Sequence, residues 1–266
     1  METTTSRDGT TIAFDTYGEG PAIIVVGGAF SSRALGALSV TPLVELLPQF
    51  TIYHYDRRGR GDSGDTLPYA VEREVEDIEA LVDHAGGTAY LYGVSSGAVL
   101  ALHAARRLPA IAKAVIYEPP FILDDSYSPV PADYVDRVTE LTSTGRPGDA
   151  VELFLTFVGM PAEAVTAMRT DPVWPVFEAV AHTLVYDFTV MGETQRGKPL
   201  PAKPWASITT PTLVVDGGKT PQPYISPAAD AIAAILPNAQ RRTLPDQDHA
   251  VAPEAIAPVL REFFTD

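Results

Sequence analysis

The chain has 266 residues, 45% of them hydrophobic and 20% charged, with a formal net charge of −15 and no cysteine. Such a length and composition suit one large α/β domain with an insertion and a real core. The missing cysteine excludes disulfides, thiolate catalysis and cysteine-ligated metal, and the acidic field disfavours nucleic acid, anionic membranes and polyanionic substrates.

Apolar runs alternate with helical patterns along the chain. Strands are expected at residues 11–14, 22–26, 51–55, 89–92, 114–117, 211–215 and 241–244. Several are unbroken apolar stretches, as parallel strands covered on both faces require. Between them, residues 71–84 carry Val75, Ile78, Leu81 and Val82 at helical spacing. A second helix follows Ser95 and stops before Pro109, and a last one begins at Pro253 with Glu254 in its first turn. The alternation predicts an α/β fold with a doubly wound, mostly parallel sheet. One segment departs from it: residues 121–208 read as helices (133–141, 149–158, 161–168 and 175–187) joined by proline-rich turns. That is too long for an ordinary crossover and predicts a helical cap, set between a core made of residues 1–120 and 209–266. The first residues, Met1 to Ser6, lack the basic and apolar regions of a signal peptide, and no apolar run approaches the ~20 residues that span a bilayer. A soluble cytoplasmic protein, monomer or homodimer, acting on a small-molecule substrate is therefore expected.

The sharpest chemical signal is Gly93-Val94-Ser95-Ser96-Gly97, a G-x-S-x-G frame between an apolar run and a helix of small residues. A tight strand-to-helix turn there lifts the Ser95 hydroxyl off the sheet edge, and a Cβ at Gly93 or Gly97 would strike the folded-back chain. The helix after it turns its first amides to the same spot, so the Ser96 N–H is a candidate oxyanion donor. A serine hydroxyl needs a base. Of five histidines, His249 lies in a polar loop after the last strand, whereas His54 lies in a strand, His84 and His103 on helices, and His182 within the cap.

With Tyr55-Asp56-Arg57-Arg58-Gly59-Arg60-Gly61-Asp62-Ser63, which matches a D-x-R-G-x-G-x-S turn, and Asp246-Gln247-Asp248-His249-Ala250 before the last helix, the chain resembles the α/β-hydrolases. The resemblance runs from about Arg7 to the C-terminus. It implies Ser95 as nucleophile, His249 as general base and, after the strand at 22–26, the amide of Ala29 or Phe30 as second oxyanion donor. Relatives commonly carry His-Gly there; Gly27 stands in the histidine position of this chain. The acid departs from the pattern, since Thr220 occupies the place where many relatives have aspartate. Two carboxylates are available: Glu118, at the tip of the strand at 114–117, is favoured, with Asp216 as the alternative. Asp56 and Arg58 read as braces of their turn and Asp248 as a shaper of the histidine loop. Tyr127, Trp174, Phe177, Tyr186 and Phe188 read as cap core or as pocket lining.

No H-E-x-x-H, dinucleotide fingerprint or P-loop occurs, so no cofactor is implied. The resemblance implies a serine hydrolase that cleaves an ester or lactone of a small, largely apolar substrate through an acyl-enzyme. Serine at the elbow argues against relatives that use aspartate there, the haloalkane dehalogenases and epoxide hydrolases. The alternatives are a C–C bond hydrolase, a perhydrolase or a rearrangement enzyme on the same site, or a ligand-binding receptor with a vestigial triad.

Overall fold

The computed structural model describes residues 1–266, with the side chains of 36–39 outside the described set. Strands β1 (Glu2–Thr5), β2 (Thr11–Tyr17), β3 (Ala22–Val26), β4 (Thr51–Tyr55), β5 (Ala89–Val94), β6 (Ile111–Tyr117), β7 (Thr212–Gly217) and β8 (Ala239–Leu244) form the sheet. It has eight strands in the order β1-β2-β4-β3-β5-β6-β7-β8. From β4 to β8 every pairing is parallel; β1 and β2 add an antiparallel edge. The predicted doubly wound, mostly parallel sheet is thus observed.

Helices α1 (Arg33–Leu46) and α11 (Pro253–Thr265) cover one face. There Val40 and Leu43 meet Ile256, Leu260 and Phe264 over Val25, Tyr92 and Val115. On the other face lie α2 (Val71–His84), α3 (Ser96–Arg107) and α10 (Ile225–Ile235), whose Ile78, Leu81, Val99 and Ile232 pack on Ile24, Leu91 and Val214. Each such side chain removed from water contributes about 2 kcal/mol, so both faces are firmly held. β3, β5 and β6 read as apolar runs because they lie in the middle, sandwiched by both layers.

Between β6 and β7 the chain inserts α4 (Tyr134–Ser143), α5 (Pro147–Phe157), α6 (Ala162–Met168), α7 (Trp174–Val180), α8 (Leu184–Met191) and α9 (Ala202–Trp205). Val138, Val151, Val165, Trp174, Leu184 and Phe188 give these helices a core of their own, into which Phe30 projects from the end of β3. The helix expected over 175–187 is divided. A 3-10 turn, Ala181–Thr183, separates α7 from α8. There the Thr183 hydroxyl donates to the Val180 carbonyl at 2.7 Å and competes with the helical ladder. Among the described residues no helix is long and apolar enough to cross a membrane.

Candidate active site

The end of β5 turns sharply into α3, with Ser95 at the corner at φ 57° and ψ −126°. A Cβ on Gly97 would stand 2.1 Å from the Val26 carbonyl oxygen, and one on Gly93 would stand 2.6 Å from the Gly97 carbonyl oxygen. Glycine at both places is therefore a packing requirement, as the frame implied. Among the described residues three that are not glycine have positive φ: Phe30, Ser95 and Glu118. All three flank the same sheet edge, so the backbone strain of the described chain gathers at one place.

Glu118 follows β6 and is wholly buried. Its Oε2 lies 2.6 Å from His249 Nδ1, while its Oε1 accepts from the Gly217 N–H at 2.8 Å and the Thr220 hydroxyl at 2.5 Å. Thr220, the residue in the place of the usual aspartate, thus holds a carboxylate that reaches His249 from the neighbouring strand. β6 and β7 pair in parallel, Tyr117 beside Val215, which brings their ends together. The histidine loop is fixed by the Tyr117 hydroxyl, which donates to the Asp248 carbonyl at 2.5 Å, and by the Ala250 N–H, which donates to Asp248 Oδ1 at 2.9 Å. Asp248 does shape its loop.

Asp216, the alternative acid, points elsewhere. Its two oxygens accept from Arg241 Nη1 and Nη2 at 2.8 and 2.7 Å. Burial opposes its ionisation, but the guanidinium more than offsets that and holds the carboxyl below the ordinary aspartate range.

Ser95 and His249 both line a cavity of about 660 Å³. Among the described residues no hydrogen bond joins Ser95 to the imidazole; contacts of this kind commonly close only when substrate is bound. Gly27, Gly28, Ala29 and Ser96 complete this wall. Gly28 touches the Ser95 turn so closely that a Cβ on it would stand 2.9 Å from that of Ser95. Among the described residues the Ala29 N–H has no hydrogen-bond acceptor, and Ser96 opens α3, so both amides are free to meet a negative oxygen. The Phe30 N–H, the other donor considered, likewise has no acceptor among the described residues, while its ring stacks on Phe177 and packs edge-on against Phe154.

The remaining wall is mainly apolar, with Phe154, Phe157, Phe188 and Met191 from the inserted helices, and Tyr224. Of the five aromatic residues singled out in the sequence, only Phe188 lines the cavity. Trp174 and Phe177 pack within the inserted helices, Tyr127 against Tyr224, and Tyr186 on Tyr69. His54 lines the cavity as well, and burial pushes its pKa down, which keeps it neutral. The alternation of β4 puts it on the same face as Ile52, a signal that was legible. His182 pairs with Asp65 at 3.4 Å away from the cavity.

Beneath the loop after β3 lies a buried charge cluster that motif reading missed. Arg57 grips Glu74 through Nε and Nη2 at 2.7 and 2.6 Å, and donates to Asp187 Oδ1 at 2.7 Å and the Gly27 carbonyl at 3.2 Å. Arg60 donates to Asp187 Oδ2 at 2.7 Å and the Gly28 carbonyl at 2.5 Å. Asp187 also accepts from the Ser96 hydroxyl at 2.7 Å. Burial opposes the charge on Asp187, but Arg60 and Arg57 outweigh it and keep the carboxyl below its ordinary range. Arg58 and Asp56 do brace their turn: Arg58 pairs with Asp77 and Asp8, and Asp56 accepts from Arg33 and the Asp62 N–H.

A model of the alpha/beta hydrolase family matches residues 22–261. The structure is similar to that of an alpha/beta hydrolase from Sphaerobacter thermophilus DSM 20745, 52% identical, with a TM-score of 0.89 over 99% of this chain and 100% of that one. An enol-lactonase from Burkholderia xenovorans LB400 superposes with a TM-score of 0.72 at 20% identity, with 100% of both chains covered. A thermophilic esterase from Thermogutta terrifontis gives 0.70 at 22% identity, covering 99% of this chain and 97% of its own. The last two likenesses are of fold. Because the family model spans residues 22–261 and a 52% identical relative is covered over its whole length, the chain belongs to the alpha/beta hydrolase family.

Proposed function

We propose that this chain is a serine hydrolase that cleaves an ester or lactone of a small, largely apolar substrate through an acyl-enzyme. The observation that carries the reading is the 2.6 Å contact between Glu118 Oε2 and His249 Nδ1, beside a serine on a strained elbow in an apolar cavity. A carboxylate on Nδ1 fixes the tautomer whose Nε2 lone pair faces the cavity, and it stabilises the imidazolium once formed. Ser95 Oγ attacks the acyl carbon as its proton passes to His249 Nε2. The carbonyl oxygen becomes an anion held by the Ala29 and Ser96 N–H groups. Collapse of this adduct breaks the acyl–oxygen bond, and the leaving alkoxide takes the proton from Nε2. Water then repeats the sequence on the acyl-enzyme, giving the carboxylic acid and free Ser95.

Every role is filled by the chain itself. The inserted helices act as a cap that supplies the apolar wall, and the net charge of −15 favours a neutral substrate over an anionic one. An esterase and an enol-lactonase share this fold, consistent with carboxylic ester chemistry. The receptor alternative rested on the carboxylate missing at Thr220; Glu118 beside His249 supports the enzyme reading instead.

The test is Ser95→Ala, assayed on p-nitrophenyl esters of short acids and with a fluorophosphonate probe. The wild type should turn over ester and be labelled at Ser95, and the variant should do neither while keeping its circular dichroism and Tm. Undiminished turnover by the variant refutes the proposal.

A further inference from the structure

Resting on the serine-hydrolase reading, we propose that Asp187, on an inserted helix remote in sequence from the catalytic motifs, is a positioning residue that sets the oxyanion hole through Arg57, Arg60 and Ser96. The two halves of that hole come from separate places, the loop after β3 and the first turn of α3. Asp187 is tied to both. One oxygen takes the Ser96 hydroxyl and Arg57, the other takes Arg60, and each arginine passes a further N–H to the carbonyl of Gly27 or Gly28. A carbonyl held from below fixes the plane of its peptide, and so the direction in which the next amide N–H points. The Gly28 carbonyl and the Ala29 N–H belong to one peptide unit, so Arg60 on the oxygen aims the Ala29 donor.

This chain has special need of such a brace. Gly27 carries no side chain to hold the loop. Arg57 and Arg60 occupy the variable positions of the D-x-R-G-x-G-x-S turn, so the turn motif alone does not supply them. The four charged groups, Arg57, Arg60, Glu74 and Asp187, are all buried and their charges cancel. Buried ion clusters are a poor source of net stability, and in some proteins such buried polar groups serve to specify one arrangement among several. Here the geometry fixed is that of the donors. It follows that the inserted helices complete the oxyanion hole as well as walling the substrate.

The test compares wild type with Asp187→Asn and Ser96→Ala in the full chain. It measures kcat and KM on p-nitrophenyl butyrate, inhibition by a trifluoromethyl ketone that forms a tetrahedral adduct, and Tm. In Asp187→Asn kcat should fall about tenfold to a hundredfold, the scale of a misaimed oxyanion donor, with KM changed by less than about twofold. Ketone affinity should fall in step with kcat. A folded Asp187→Asn protein with wild-type kcat overturns the proposal, as does a loss confined to KM, which would make Asp187 a wall of the pocket only. Should Asp187→Asn fail to fold, Ser96→Ala decides. It leaves the charges balanced, and it should lose kcat by about fivefold; wild-type kcat there overturns the proposal. The underlying reading fails separately and visibly, through absence of fluorophosphonate labelling in the wild type.

Discussion

Glu118→Gln keeps the size and shape of the side chain and removes its charge. In the structure the carboxylate is wholly buried, with Oε1 committed to two donors and Oε2 to His249 Nδ1. The amide oxygen of glutamine keeps the Gly217 and Thr220 contacts, which forces its NH₂ towards Nδ1. The imidazole then carries its proton on Nε2 and has no lone pair for Ser95. Even in the correct tautomer the imidazolium loses its partner. With charge centres ~4 Å apart and an effective dielectric of ~20, that attraction is worth about 4 kcal/mol. Each 1.36 kcal/mol of barrier is tenfold in rate, so kcat should fall by about a thousandfold. The assay is p-nitrophenyl ester turnover at neutral pH, with Tm measured on the same samples and Asp216→Asn as the companion variant. Because the Asp216 carboxylate is committed to Arg241, Asp216→Asn should stay within about threefold of wild-type kcat if it folds. A folded Glu118→Gln enzyme that keeps a tenth or more of its activity, or a collapse seen only in Asp216→Asn, would show the reasoning wrong.

Gly28→Ala places a methyl group 2.9 Å from Ser95 Cβ and 3.1 Å from the Val94 carbonyl oxygen. We expect a stability loss of about 1–3 kcal/mol by urea unfolding and a fall in kcat of about a hundredfold; wild-type kcat would mean that the loop after β3 is not part of the hole. His103, on α3, bonds the Val190 carbonyl through Nε2 at 3.1 Å, and burial lowers its pKa to about 4. The unfolded chain takes up that proton near the ordinary value of about 6.5, so between the two values it binds more protons than the folded chain does. Stability is therefore full above about pH 6.5 and declines by up to about 3 kcal/mol as pH falls towards 4. Urea unfolding at both ends of that range should show a flatter dependence in His103→Gln; parallel profiles would refute it.

What the sequence reveals about this molecule follows from the range over which its signals act. Ser95 stands out because the elbow is made within five residues, and the central strands because burial on both faces leaves them apolar throughout. β1 passes unnoticed: Glu-Thr-Thr-Thr at an exposed edge has no apolar face to display. α1 is hidden by Pro42 within it and by a weak division of polar and apolar faces, and α10 by Pro227 in its first turn. Glu118 is inferable because a strand tip has a predictable address. The hold of Asp187 on Arg57 and Arg60 is not, for it joins residues more than a hundred positions apart and depends on how the inserted helices settle. The same holds for the cavity wall: Phe154 and Phe157 line the cavity while Trp174 and Phe177 pack away from it, and no periodicity separates those outcomes.

The anchoring of Asp187 also constrains the traffic of molecules through the site. Swinging the inserted helices open would pull a carboxylate away from two buried guanidinium groups, and breaking such a pair costs about 3–5 kcal/mol. A gate working on every turnover would meet that barrier each time. On the other side of the cavity the His249 side chain is 47% exposed although the carboxylate behind it is sealed from solvent. Solvent therefore already reaches the imidazole while the inserted helices stay anchored. On the serine-hydrolase reading, the water that would release an acyl group meets the proposed base without any swing of those helices.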